Sequence, residues 1–144
     1  MSEPKEILIS LGSCYGQRSN IEYAKHQLCT ILNEGEVFSK DLWTTPIGID
    51  SDMFLNCLCK ATTAHSLHQI EKALKSIEKK CGRSLKNDRL GHINLDLDIL
   101  SYDGTRYHNG DWDREYVAEL LDDIHAKEKE KNGTEDVEED GEKM

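Results

Sequence analysis

Apolar residues along this chain switch between a period of two and a period near three and a half, and each switch marks an element. Glu6-Ile7-Leu8-Ile9-Ser10-Leu11 predicts a first strand, stopped by Gly12-Ser13. Ile21, Ala24, Leu28, Ile31 and Leu32 then share one helical stripe, with Ser19-Asn20 as the expected N-cap and Gly35 as the stop. Val37 to Thr45 alternates loosely and predicts a second strand, while Pro46 to Asp52 has the breakers of a loop. Phe54 to Thr62 predicts a third strand. Ser66 caps a second helix whose stripe is Leu67, Ile70, Leu74 and Ile77, ending at Cys81-Gly82. Ser84 to Gly91 is polar and predicts irregular backbone, and Ile93 to Leu100 is the fourth strand. Asp103-Gly104 suits a hairpin turn into a short strand near Thr105-Arg106-Tyr107, and Asp113 can cap a short helix to about Ile124.

Strand, helix, strand, strand, helix, strand is the split βαβ order of an α+β, ferredoxin-like βαββαβ fold, an antiparallel sheet with helices packed on one face. Such a fold hosts many functions and settles none.

Composition narrows the choice. The 144 residues suffice for one domain, expected over residues 1–125. Residues 126–144 hold eight acids and four lysines with few apolar side chains, which predicts an unstructured acidic tail. The tail carries −4 of the net −10, leaving −6 for the rest. That balance disfavours nucleic acid as a partner. No apolar run approaches ~18 residues, and the N-terminus lacks a signal-peptide layout, so cytoplasm is the expectation, with no membrane partner. A monomer or weak homodimer acting on small molecules fits this picture. Five cysteines, without paired zinc spacing, predict reduced thiols; Cys57 and Cys59 share one strand face and read as small core residues.

The candidate chemistry centres on Ile93-Asn94-Leu95-Asp96-Leu97-Asp98-Ile99-Leu100. On a strand, Asp96 and Asp98 point one way and Leu95, Leu97 and Ile99 the other. Two carboxylates ~7 Å apart on one face repel each other unless a cation sits between them. Paired oxygen ligands suit Mg²⁺, which takes one or two carboxylates and completes its shell with substrate phosphates. An edge strand with a solvated acidic face is the other reading of the same pattern.

Taken together, four motifs resemble the 6-hydroxymethyl-7,8-dihydropterin pyrophosphokinases of folate synthesis. They are Leu11-Gly12-Ser13-Cys14-Tyr15-Gly16, Thr44-Thr45-Pro46-Ile47-Gly48 leading to Phe54-Leu55-Asn56, Ile77-Glu78-Lys79-Lys80-Cys81-Gly82-Arg83, and Leu95 to Leu100. The resemblance covers roughly residues 7–104. It implies transfer of the β,γ-pyrophosphoryl group of ATP to a pterin hydroxymethyl, with Asp96 and Asp98 ligating two Mg²⁺. It also implies Thr44, Thr45, Ile47, Phe54 and Asn56 as pterin-binding, Glu78, Arg83, Lys86 and Ile99 as nucleotide-binding, and Arg83 and Arg89 as catalytic. Asn56 can both donate to and accept from the edge of a flat heterocycle, and Phe54 offers a ring for stacking. The alternatives for Glu78 are an exposed helix acid or a partner of Lys75.

The chain departs from the family where phosphate is handled. Leu85 stands where a second arginine is common, Leu90 replaces a tryptophan, and His92-Ile93 replaces Pro-Arg. A guanidinium grips phosphate in a bidentate way that lysine or histidine does not copy, although Lys86 supplies charge. The family's Arg-Leu…Pro-His stretch is shortened here to Thr105 to Trp112, leaving His108 to face phosphate or solvent and Trp112 to stack or to cover the sheet edge. Arg114 and Tyr116 correspond to a later arginine and aromatic across that deletion. Two expectations result: a working pyrophosphokinase, or a non-catalytic pterin- or nucleotide-binding homologue. A nucleic-acid-binding domain would need basic and aromatic residues on the strands, which show few of either.

Overall fold

The computed structural model describes residues 3–46 and 48–143, with side chains as far as residue 131. Ile47, expected to line a pterin pocket, lies outside the described residues. The strands are β1 (Lys5–Ser13), β2 (Val37–Phe38), β3 (Leu42–Thr44), β4 (Phe54–Thr63), β5 (Asp96–Tyr102) and β6 (Thr105–Arg106). The helices are α1 (Gln17–Ile31), α2 (Leu67–Lys80), α3 (Leu85–Arg89), α4 (Asn109–Trp112) and α5 (Glu115–Lys143). The sheet is antiparallel in the order β2-β4-β1-β5-β6, with β3 also paired to β4. The fold is the expected α+β ferredoxin-like one.

Strand parity decides what each sheet face does. Ile7, Ile9 and Leu11 of β1 join Cys57, Cys59 and Ala61 of β4 and Leu97 and Ile99 of β5 beneath the apolar stripes of α1 and α2. The two cysteines are fully buried free thiols, as their shared face predicts. On the other face, Leu8, Leu58 and Leu100 pack against Val117, Leu120 and Ile124 of α5. This helix adds a layer that the two-layer pattern does not anticipate. It covers only the half of its face where the strands are apolar; Ser10, Gly12, Asn56, Asp96 and Asp98, which share that face by parity, are left for solvent or ligand.

Several boundaries differ from the sequence expectation, each for a local reason. Helix α1 starts at Gln17 behind Gly16 in a left-handed conformation (φ 61°), and Asn20 donates to the Tyr15 carbonyl at 2.8 Å instead of capping. The second strand divides into β2 and β3, and Ser39 between them uses its hydroxyl to accept from the Leu58 amide at 2.8 Å. Ser84 to Gly91 is not wholly irregular, because the Ser84 hydroxyl accepts from Asn87 N–H at 3.0 Å and starts α3. Helix α5 continues across residue 126, in place of the expected unstructured tail. Lysine, glutamate and alanine are strong helix formers. Docking holds the described part: Lys40 to Glu119 at 2.9 Å, Lys60 to Glu128 at 3.2 Å, and Lys127 Nζ to the Phe38 carbonyl at 2.9 Å. Among the described residues no helix is long and apolar enough to cross a membrane.

Candidate active site

Two clefts meet at Asp98. The first, of about 190 Å³, opens on the uncovered half of the α5 face. Its floor is Ser10 and Gly12 of β1; Phe54 and Asn56 stand on β4, Asp96 and Asp98 on β5, with Thr44 and Thr45 at one side and Asp111, Arg114 and Tyr116 at the other. The pairing of Gly12 with Asn56 on one side and Asp96 on the other brings amide and carboxylates to one level of the sheet. A Cβ at Gly12 would meet Asn56 Oδ1 at 3.5 Å and the Phe54 ring at 3.6 Å, so glycine keeps this floor low.

Asn56 is buried and its orientation is fixed. Its Nδ2 donates to Thr44 Oγ1 at 2.7 Å and to the Leu42 carbonyl at 3.2 Å, which turns Oδ1 toward Gly12. The Asn56 donor is therefore engaged within the protein. Phe54 and Tyr116 place two aromatic rings on the lining of the same cleft.

The second cleft, of about 240 Å³, lies between α2 and the edge of β5. Leu67, Leu74, Leu97, Ile99 and Tyr107 make an apolar lining, and Asp98, Glu71, Lys75 and His108 supply its charged and polar groups. His108 sits at φ 54°, a left-handed conformation costly for a residue with a side chain, and its Nε2 lies 3.7 Å from Asp98.

Electrostatics make Asp98 the most perturbed carboxyl of the site. Burial, then the neighbouring Asp96 charge, push it up to about 7. Burial also raises Glu78, although the Leu97 amide donates to its Oε2 at 2.8 Å and works the other way. Arg83 balances this acidity. Its guanidinium reaches Asp88 at 2.8 Å, the Leu95 carbonyl at 3.0 Å, Asp96 at 3.3 Å and Glu78 at 3.6 Å. Burial works against its charge, yet the Asp88 and Asp96 carboxylates prevail and raise it.

The segment of residues 84–93, which lines neither cleft, is tied down. Cys14 Sγ donates to the Gly91 carbonyl at 3.2 Å and accepts from Ile93 N–H at 3.3 Å, and the Cys14 amide donates to the Ile93 carbonyl at 3.0 Å. The Tyr15 and His92 rings stack with centroids 4.1 Å apart.

Thr44, Thr45, Phe54, Asn56, Asp96 and Asp98 thus line one cleft together, and Ile99 lines the other. Glu78 does neither. It is buried at 7 % exposure and holds the Leu97 amide at an unpaired stretch of strand edge, so it is neither an exposed helix acid nor a lining group. Arg83 touches Asp96 but is engaged on all sides, while Lys86 and Arg89 line neither cleft. Sequence reasoning missed Asp111 and Ser10. The parity shared by Ser10 and Gly12 with an acidic strand would have found the second; nothing in the pattern places Asp111, which faces the site only through α4.

Asp96 and Asp98 suit a hard divalent cation. Their mutual repulsion, with Asp98 driven toward its neutral form, is what such an ion relieves. Among the described residues no group of three or more His, Cys, Asp or Glu is placed to hold a metal. A two-carboxylate site matches Mg²⁺, which takes its other oxygens from phosphate and water.

The chain is similar to known proteins of folate synthesis. The family described as 7,8-dihydro-6-hydroxymethylpterin-pyrophosphokinase matches residues 8–126. A folate synthesis bifunctional protein of Arabidopsis thaliana is 29% identical over 150 residues, covering 94% of this chain and 29% of that protein. A folic acid synthesis protein of Dictyostelium discoideum is 34% identical over 83 residues, covering 52% of this chain and 12% of that protein. A mitochondrial folate synthesis bifunctional protein of Pisum sativum is 31% identical over 135 residues, covering 85% and 26%. The chain spans less than a third of the length of these relatives.

Proposed function

Because the chain belongs to the 7,8-dihydro-6-hydroxymethylpterin-pyrophosphokinase family, we propose that its two clefts hold the two substrates of one transfer in folate synthesis. The first takes 6-hydroxymethyl-7,8-dihydropterin and the second takes ATP. The observation that carries this reading is that both clefts share Asp98. A flat pterin fits between Phe54 and Tyr116, with its polar edge toward Asn56 Oδ1 and the Thr44-Thr45 segment. An adenine ring suits the apolar lining of Leu74, Leu97, Ile99 and Tyr107.

The reaction joins the pterin hydroxymethyl oxygen to the β-phosphorus of ATP. The bond from that phosphorus to the oxygen bridging it to the α-phosphate breaks, its electron pair leaves with AMP, and the hydroxyl proton passes to solvent. Such a transfer asks mainly for alignment and charge neutralisation. Asp96 and Asp98 would hold two Mg²⁺, which when bound neutralise the phosphate oxygens. Arg83 fixes the Asp96 carboxylate, and His108 stands beside Asp98 on the nucleotide side.

Residues 1–125 are the working unit in this reading, a monomer or weak homodimer in the cytoplasm with small molecules as its partners. The net charge of −10 supports small molecules, not nucleic acid, as its partners. The test is AMP formation from ATP, Mg²⁺ and the hydroxymethyl pterin; AMP at the no-enzyme background with all three saturating refutes it.

A specific observation favours a second reading, a non-catalytic homologue that retains binding. Arg83 and Arg114 are both held by carboxylates of the chain, and Leu85 and Leu90 are exposed on the phosphate-side loop. Calorimetry separates the two: pterin binding without AMP formation supports the homologue, and no pterin binding removes both.

A further inference from the structure

The nucleotide-side cleft has two basic side chains on its lining, Lys75 and His108. Elsewhere in the site the cations are committed. Arg83 is shared among Asp88, Asp96 and Glu78, and Arg114 pairs with Asp111 at 3.2 Å. Lys75 is different: it ion-pairs with no described carboxylate, although its charge is felt by Glu78 across one helical turn. It stands one turn along α2 from Glu71, beside Leu74, whose side chain is part of the apolar lining.

Helix α2 runs antiparallel to β5, with the Tyr102 hydroxyl donating to the His65 carbonyl at one end and the Leu97 amide to Glu78 at the other. Lys75, one turn before Glu78, therefore stands toward the Asp98 end of the cleft. The apolar lining receives the base and Asp98 marks the junction with the acceptor's cleft, so the phosphate between them is the one that stays with the nucleoside. We infer that Lys75 grips this phosphate and takes up the charge that AMP gains as it leaves. An ammonium on a flexible stem suits a group whose charge changes during reaction. The inference rests on the nucleotide reading of this cleft and adds to it a specific residue, one that the four motifs do not mark.

Calorimetry on the full chain with Mg²⁺ tests it, using AMP, adenosine and α,β-methylene-ATP as probes. Lys75→Ala should weaken AMP and the ATP analogue about tenfold, as expected for one charge-assisted contact, while adenosine is unchanged. Lys75→Arg should restore most of the loss. Lys79→Ala removes the same charge from the same helix outside this cleft and should leave all three affinities alone. Equal losses in the Lys79 and Lys75 variants, or unchanged AMP binding in Lys75→Ala beside a binding wild type, overturn the inference while the nucleotide cleft stands. Failure of the wild type to bind any of the three removes the cleft assignment and the inference with it.

Discussion

Replacing Asp98 by asparagine should stabilise the metal-free protein, although it destroys the proposed metal site. Burial and then the Asp96 charge lift the folded Asp98 carboxyl from its ordinary 3.8 to about 7. At 1.36 kcal/mol for each tenfold change, that lift leaves the charged form about 4 kcal/mol worse off in the folded than in the unfolded chain. The side chain keeps 30% exposure, and screening by water reduces the figure to about 2 kcal/mol. The sign follows from linkage. With its folded pKa raised, Asp98 contributes stability that is fully present below about pH 4, is lost as pH rises, and is gone above about pH 7. The uncharged amide of the variant has no such dependence. Urea unfolding followed by circular dichroism should therefore show Asp98→Asn more stable than wild type by about 2 kcal/mol near pH 8 without metal, and nearly equal near pH 4. Adding Mg²⁺ and ATP should stabilise the wild type and leave the variant unmoved, because only a ligand that prefers the folded site shifts the equilibrium. If Asp98→Asn is neutral or destabilising near pH 8 without metal, burial and the Asp96 charge do not disfavour the Asp98 carboxylate as argued, and the electrostatic case for a cation there falls.

Two further substitutions probe the Asn56 anchor and the tied segment of residues 84–93. Asn56→Ala removes the 2.7 Å bond to Thr44 and leaves the Leu42 carbonyl without its side-chain donor, so unfolding should become easier by about 1–3 kcal/mol and pterin affinity should fall; chemical denaturation and calorimetry read the two effects separately. Gly91→Ala meets a positive φ of 78° and drives a Cβ into the Asp50 carbonyl oxygen, so the chain must move there. It should cost about 1–3 kcal/mol and speed proteolysis within residues 84–93.

What could be read from the sequence followed from periodicity. The central odd residues of β1 (Ile7 to Leu11), β4 (Leu55 to Ala61) and β5 (Leu97 and Ile99) are apolar and the two helical stripes are complete, so the sheet and its α1–α2 layer emerge from pattern alone. Ser66 announces α2, and its capping box with Gln69 forms as the spacing allows. Asp96 and Asp98 stand out because two acids interrupt an otherwise buried strand. The rest depends on tertiary placement. The stripe Val117, Leu120, Ile124 signals a helix but not which sheet face it covers, and that choice creates the first cleft. Glu78 looks like a surface acid on α2, yet its carboxylate serves as the missing partner of a strand-edge amide. Arg83 looks free to meet phosphate because sequence spacing hides Asp88, one turn away on α3, and Asp96 across the strand.

Those internal pairs bear on how a chain of net charge −10 holds a polyanion. Around the junction lie Asp96, Asp98, Glu78 and Asp111, against Arg83 and Arg114, so the protein alone presents a surplus of negative charge. A triphosphate brought there without metal would be repelled, whereas the same triphosphate arriving with its divalent ions finds two carboxylates in need of them. Metal-free nucleotide should therefore bind poorly whichever of the two readings holds, and the pterin, which is uncharged, should bind with no such requirement. Dependence on Mg²⁺ for nucleotide but not for pterin is the asymmetry that this arrangement of charge demands. Equal affinity for ATP with Mg²⁺ and with excess chelator would mean that the nucleotide's phosphates lie away from Asp98.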